Sequence, residues 1–386
     1  TVSWKGQGSH CMSFPFLVKG AKKEKDLPMY AVIMAGGKGT RFWPLSRAQK
    51  PKHLIKITGE KTVIRQTVDR ILPLFSPEKI LIVTASSQAS MVREELPEIP
   101  HKNVISEPMG LNTAPCIALA AAFIGKRAKD AVMVCLPADH IIEDEEEFRR
   151  SIKVAVEAAR SGDYLVTIGI EPTGPETGYG YLKRGGVKML IQGRAVYEVH
   201  HMREKPPREE AERMIAEGGF YWNSGMFIWR QEAIWDALKA FLPEIAGKIE
   251  EIVPLLDTEK GEEATAQAYR NMKSISIDYG VMEKAKNTLL LPGNFGWSDV
   301  GSWDALWEIM PKDEWGNVEI GTRTPIRIGA KNCLIHARGK LVALVEVSDL
   351  IVVETEDALL VCRRGRSQEV KKAVEAIEEK GWEDYL

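Results

Sequence analysis

Residues 35–52, AGGKGTRFWPLSRAQKPK, gather side chains suited to holding a polyanion. Gly36, Gly37 and Gly39 follow directly on the apolar run 30–34. Glycines after a strand let backbone N–H groups approach phosphate closely, and a following helix N-terminus adds positive potential. Lys38, Arg41, Arg47, Lys50 and Lys52 add charge to the same segment. Two familiar phosphate motifs fail at single residues. A GxxxxGK loop meets Thr40 after Gly39 where it needs Lys, and GxGxxG counted from Gly37 meets Phe42 in place of its last glycine. An ordinary strand–turn–helix with a solvated basic face is the alternative.

No Ser–His or Cys–His nucleophile arrangement stands out. His10, His53, His101, His140, His200, His201 and His336 lack metal-ligand spacing, and adjacent residues such as His200 and His201 point oppositely on a strand. All seven read as structural. The five cysteines, Cys11, Cys116, Cys135, Cys333 and Cys362, form no CxxC pair, which argues against a disulfide framework or a zinc site.

A phosphate loop needs a sheet to carry it. Runs 30–34, 80–84, 132–136 and 164–170 read as buried strands, and 63–74 and 114–127 have helical length. Their alternation predicts a mainly parallel sheet with covering helices. Asn112 or Thr113 is placed to cap the second helix, with Pro115 in its first turn. Segment 183–229 reads as strands and polar loops inserted at the sheet edge. A polar helical stretch, 231–273, follows, and strand character returns at 287–291. From about residue 311 the texture is short β runs, with charged helix over 368–386. Residues 1–28 fit the remainder poorly and read as a vector-derived or disordered extension, with Met29 as the native start. The expected division is therefore 1–28, a catalytic domain over 29–310, and a small β domain with a terminal helix over 311–386.

The chain has 386 residues, 44% of them hydrophobic, with 52 Lys and Arg against 54 Asp and Glu. A near-neutral chain of this kind is not built around nucleic acid or an anionic membrane. No apolar run reaches the ~18 residues of a membrane span. A reducing cytoplasm is the expected location.

GGKGTRFWPLSRAQKPKHL resembles the signature of the sugar nucleotidyltransferases, GGxGxRxxPLT/S…KPK. The bacterial mannose-1-phosphate guanylyltransferases among them are also resembled by SEPMGLNTAPCIALAA (106–121), LPADH (136–140), ETGYGYL (176–182), REKP (203–206), WNSGMF (222–227), SIDYGVMEKA (276–285) and WSDVGSW (297–303). The resemblance implies a Rossmann-like α/β domain with a mixed, mainly parallel sheet. It also implies a small C-terminal β domain akin to a left-handed β-helix. The implied reaction is GTP plus mannose 1-phosphate giving GDP-mannose plus pyrophosphate, by in-line single displacement. Magnesium is the implied cofactor and a homodimer the implied assembly. With about 75 residues after Pro311, a single activity is expected.

The resemblance also implies roles. Arg41 and Lys52 are the catalytic cations. Ala35, Gly36, Gly37, Gly39, Thr40, Glu107, Asn112, Thr113, Pro137 and Ala138 hold the nucleotide, with Glu107 accepting from the guanine N1–H and N2–H₂. Gly178, Tyr179, Glu204, Lys205 and Asn223 hold the sugar phosphate, with Lys205 on its phosphate. Asp139 follows run 132–136 and so lies where ligands bind in open α/β sheets. Asp139 and Asp299 would hold Mg²⁺ through oxygen ligands. The alternatives are a turn role for Asp139 and a helix N-cap for Asp299. Many relatives carry Arg where this chain has Leu111, so any nucleotide contact from that Arg is absent. Other readings are a related enzyme with a different base or hexose, and a non-catalytic paralogue. The second is disfavoured because Arg41, Lys52, Asp139 and Asp299 are all present. An NAD-binding oxidoreductase is disfavoured by Phe42.

Overall fold

The computed structural model describes residues 27–386 apart from Lys38, Gln49, Thr322 and Arg323. The expected extension up to residue 26, with His10 and Cys11, and the charge assigned to Lys38 lie outside the described residues. Among those described, nine strands form the central sheet: β1 Met29–Ala35, β2 Ile80–Ala85, β3 Val104–Glu107, β4 Val132–Pro137, β6 Leu165–Ile170, β7 Gly180–Ile191, β8 Arg194–Arg203, β9 Phe220–Arg230 and β10 Thr288–Gly293. A separate ribbon pairs β5 Ile141–Ile142 with β11 Trp297–Ser298.

The sheet order is β3-β2-β1-β4-β9-β6-β10-β8-β7. Pairs β1–β2, β1–β4, β2–β3 and β6–β10 are parallel. Continuous apolar runs such as AVIMA suit these strands because helices cover both faces. The sheet is thus mixed and mainly parallel, as expected.

Segment 183–229 departs from the edge insertion expected. The β7–β8 hairpin, turning at Gln192 and Gly193 with positive φ, does form the edge. Strand β9 instead runs antiparallel between β4 and β6, in the middle of the sheet. The difference follows from composition: MFIWR is apolar at four successive positions and buries both faces, whereas the outer part of β7 alternates.

Helices α1 Val63–Ile71, α2 Ala89–Glu95, α3 Thr113–Arg127 and α4 Glu145–Arg160 follow the early strands, and α5 Arg208–Glu217 precedes β9. Asn112 caps α3 by accepting from the Thr113 N–H at 2.9 Å. The stretch expected to be polar and helical forms α6 Gln231–Phe241, α7 Pro243–Ile252 and α8 Gly261–Tyr269. It is less polar in effect than it reads. Ile234, Leu238, Ile245, Ile249 and Tyr269 are all buried in one core with α3.

After α9 Trp303–Ile309 the chain winds into parallel coils. Strands β12 Val318–Gly321, β14 Leu334–Ala337 and β16 Leu350–Glu354 stack in parallel, with β17 Leu359–Arg363 added antiparallel. Strands β13 Ile326–Ile328 and β15 Ala343–Val345 form a second parallel ladder. Helix α10 Val370–Glu379 closes the chain. One apolar cluster joins these coils to the glycine-rich loop: Phe42 and Trp43 pack with Trp303, Leu334, Ile351 and Val374. The Trp43 indole N–H donates to the Tyr385 carbonyl at 2.8 Å. The C-terminal region therefore buttresses the glycine-rich segment.

Candidate active site

The glycine-rich loop leaves β1 at Ala35 and turns at Gly39, where φ is 64°. A Cβ there would come within 2.6 Å of the Lys52 Cβ and 2.9 Å of Ser46 Oγ, so both backbone strain and packing require glycine. Arg41 stands exposed on the short 3₁₀ turn that follows, its guanidinium 3.3 Å from the Gly301 carbonyl. Lys52 is buried. Its ammonium donates to Asp139 Oδ2 at 2.7 Å, to the Asp139 carbonyl at 3.2 Å and to the Asp299 carbonyl at 2.6 Å.

The two acids meet because the β5–β11 ribbon pairs Ile141 with Ser298, placing the residues just outside it together. Asp299 is not the helix cap. Ser302 caps α9, accepting from the Ala305 N–H. A cavity of about 410 Å³ is lined by Thr40, Arg41, Lys52, Asp139, Asp299 and, from α10, Lys371. Burial works against charge on Asp139, yet Lys52 and the neighbouring histidines hold its carboxyl below the usual range. Burial also pushes His53 and His140 down to about 4, which keeps both neutral at pH 7.

No group of three or more His, Cys, Asp or Glu among the described residues would hold an ion unaided. Asp139 Oδ1 and Asp299 Oδ2 carry no hydrogen bond among the described residues. Two such oxygens suit a hard divalent cation that takes its remaining ligands from phosphate and water.

The five residues expected on the sugar side come together. Gly178, Tyr179, Glu204, Lys205 and Asn223 line a second cavity of about 210 Å³ with Asp278 and Asp299. The Tyr179 hydroxyl donates to Asp299 Oδ1 at 2.8 Å, and its ring meets Trp222 and Trp297 edge-on. Trp229 and Trp303 are core residues. Lys205, at φ 47°, pairs with Glu204 at 3.0 Å. Asn223 accepts from Thr167 and donates to Asp278 Oδ1 at 2.7 Å. A Cβ on Gly178 would meet nothing, whereas one on Gly180 would strike the Glu204 carboxylate, so Gly180 is the tightly packed glycine.

The base side is less open. Glu107 ends β3, almost fully buried, and accepts from the Tyr269 hydroxyl at 3.0 Å. Burial pushes its carboxyl up to about 7 despite that hydrogen bond. Gly36 faces it. Asn112 is spent on the helix cap, and Thr113 accepts from the Ile277 N–H at 2.8 Å. The Ala35 carbonyl accepts from Thr84, and Gly37 has open space around it. Gly36 and Thr40 also line a cavity of about 350 Å³ whose far wall is Val374, Glu378 and Leu386. Pro137 lies on the sugar side, and Ala138 is buried with its N–H on the Met34 carbonyl. Both residues adjoin the start of the glycine-rich segment, Pro137 by pairing with Met34 in the sheet and Ala138 through that hydrogen bond.

Sequence reasoning passed over Asp278, Lys371 and His140. Asp278 lay inside a quoted family segment, which was its only signal. Lys371 lies in a charged terminal helix that resembles any solvated one. His140 was set aside for want of ligand spacing, yet it lines both cavities and its Nδ1 accepts from Trp297.

Residues 30–315 match the family described as "Nucleotidyl transferase", and residues 324–377 match the "MannoseP isomerase/GMP-like beta-helix domain". A mannose-1-phosphate guanylyltransferase from Klebsiella pneumoniae is 40% identical over 359 residues, covering 92% of this chain and 75% of the relative. The alginate biosynthesis protein AlgA of Pseudomonas aeruginosa is 36% identical, covering 92% and 73%. A crystal structure described as a mannose-1-phosphate geranyltransferase, from Thermus thermophilus, superposes with a TM-score of 0.83 at 32% identity, covering 91% of this chain and all of that one. No helix among the described residues is long and apolar enough to cross a membrane.

Proposed function

We infer, because this chain belongs to the nucleotidyl transferase family and within it to the mannose-1-phosphate guanylyltransferases, that it transfers GMP from GTP to mannose 1-phosphate, releasing pyrophosphate. The observation that carries this reading is the wall shared by two cavities. Asp299 lines both the cavity of Arg41 and Lys52 and the cavity of Glu204 and Lys205. A triphosphate in the first and a sugar phosphate in the second would meet at that carboxylate.

In the mechanism we propose, a phosphate oxygen of mannose 1-phosphate attacks the α-phosphorus of GTP. The bond from that phosphorus to the β-phosphate oxygen breaks, and pyrophosphate leaves with the electron pair. No enzyme nucleophile takes part, so catalysis rests on positioning and charge. Lys52, its ammonium held by three oxygen acceptors on Asp139 and Asp299, would offer fixed positive charge beside the transferred phosphoryl group. Arg41, exposed and tethered among the described residues to the Gly301 carbonyl, closes on the β- and γ-phosphates. Lys205 neutralises the sugar phosphate, while Glu204, Asn223 and Asp278 accept from and donate to hexose hydroxyls. Asp139 and Asp299 would hold Mg²⁺, which neutralises phosphate charge when bound. Glu107 reads the guanine edge.

Pyrophosphate release measured across GTP, ATP, UTP and dTTP, each with mannose, glucose and galactose 1-phosphates, tests the reading. The GTP–mannose 1-phosphate pair should lead by at least about 100-fold over ATP, because a buried carboxylate facing the wrong base edge is left unpaired. Preference for another pair would overturn the assignment of base or hexose.

A further inference from the structure

A cavity of about 580 Å³ lies along edge strand β3, with none of Arg41, Lys52, Asp139 or Asp299 in its lining. Its polar lining is mainly basic: Arg93, His101, Lys102 and Arg127 stand against Asp257 and Glu262. Arg127 is already matched, its guanidinium 2.7 Å from Asp257 and also bonded to Asn103. Arg93 and Lys102 make no ion pair among the described residues. Among the described residues the Arg93 Nε–H is buried without an acceptor, and Arg93 makes a long 3.4 Å bond to the Val104 carbonyl. Buried donors of this kind are costly unless something accepts from them.

The elements that line this cavity carry the base side of the active site at their other ends. Strand β3 contributes Val104–Ser106 to the cavity and ends in Glu107. Helix α3 contributes Phe123 and Arg127 and begins at Thr113. Helix α8 contributes Gly261 and Thr265 and ends in Tyr269, whose hydroxyl holds Glu107. A ligand wedged between β3 and α8 bears on both partners of that one hydrogen bond.

We propose that this cavity is a second ligand site, for a phosphorylated small molecule, and that its occupancy alters GTP affinity through the Tyr269–Glu107 contact. Arg93 and Lys102 take the phosphate, and the half-buried Phe123 ring faces the remainder of the ligand. The binding claim stands on the cavity alone. The coupling claim rests on Glu107 reading the base.

Inorganic phosphate is the probe, titrated calorimetrically into the full chain. Lys52→Ala combined with Arg41→Ala, Lys205→Ala and Lys371→Ala removes the cations placed on phosphate in the active site and isolates the second site. In that background, adding Lys102→Glu should weaken the remaining phosphate binding about tenfold or more, the worth of a charge-assisted contact. Arg93→Ala should do the same by a different route. Lys102 is exposed, so its substitution leaves the fold intact. Equal isotherms with and without Lys102→Glu and Arg93→Ala would overturn the site. For coupling, phosphate should change the KM for GTP in the otherwise unaltered enzyme by about fivefold beyond the competitive effect that remains in Lys102→Glu. A phosphate site abolished by Lys102→Glu, with identical GTP kinetics in both proteins, would overturn the coupling and leave the site.

Discussion

The Lys52 ammonium stands 2.7 Å from the Asp139 carboxylate and 2.6 Å from the Asp299 carbonyl, tying together the loops that follow β4 and β11. One buried cation thereby sets the spacing of the two acids assigned to the metal. Asp139→Asn and Asp299→Asn should each lower kcat by about 100-fold or more, the scale of losing one preorganised electrostatic group. Nucleotide binding, followed by equilibrium dialysis, should persist in part. Full magnesium-dependent turnover in both variants would sink the metal assignment.

Glu107 gives the base side a pH signature. Its carboxyl is raised from 4.5 to about 7 by burial, so near neutrality it is only partly ionised in the free enzyme. Guanine N1–H and N2–H₂ donate to the ionised form. The KM for GTP should therefore rise as pH falls through about 7. The stability contribution has the opposite sense: a raised carboxyl stabilises the fold fully below about 4.5 and loses that contribution as pH climbs through about 7. Glu107→Gln should flatten the KM profile and cost more activity with GTP than with ITP, which lacks the 2-amino group. A proportional loss with both nucleotides would assign Glu107 to the fold rather than to the base.

On the sugar side, Asp278 and Glu204 face the same cavity. Burial, then repulsion from Glu204, pushes Asp278 up to about 7. Two carboxylates in one pocket are best relieved by hydroxyl donors, which a hexose provides. Asp278→Asn and Lys205→Ala should each raise the KM for mannose 1-phosphate about ten- to a hundredfold with little change for GTP. Equal shifts in both substrates would mark these residues as structural.

Lys371 brings α10 into the cavity lined by Arg41 and Lys52. It is exposed and shared with Glu375 at 3.2 Å, so its effect should be modest. Lys371→Ala should raise the KM for GTP, and for pyrophosphate in the reverse reaction, about two- to fivefold. Lys371→Glu should exceed that while the KM for mannose 1-phosphate stays constant. Unchanged pyrophosphate kinetics in Lys371→Glu would remove it from the site.

The order of residues alone determined the glycine-rich loop after a strand, the alternation of β1, β2, β4 and β6 with helices, and the types of group available for chemistry. These are legible because strand burial, glycine freedom and local charge depend on near neighbours. The family segments then supplied the residues of the sugar side, and all five converge on one cavity. Only the tertiary structure decided the rest. Strand β9 entered the middle of the sheet because its partners, β4 and β6, lie far from it in sequence. Asp278 reached Asn223 across 55 residues, and Lys371 reached the glycine-rich loop from the end of the chain. Asn112 took the cap role its sequence position allowed, while Thr113 accepts from Ile277 N–H, a partner 164 residues away that only the fold supplies. Ionisation was equally beyond local reading. Asp139 and Glu107 are both carboxylates at the ends of strands, yet Lys52 holds one below its usual range while burial lifts the other to about 7. The difference is one of surroundings, and those surroundings are assembled by long-range packing.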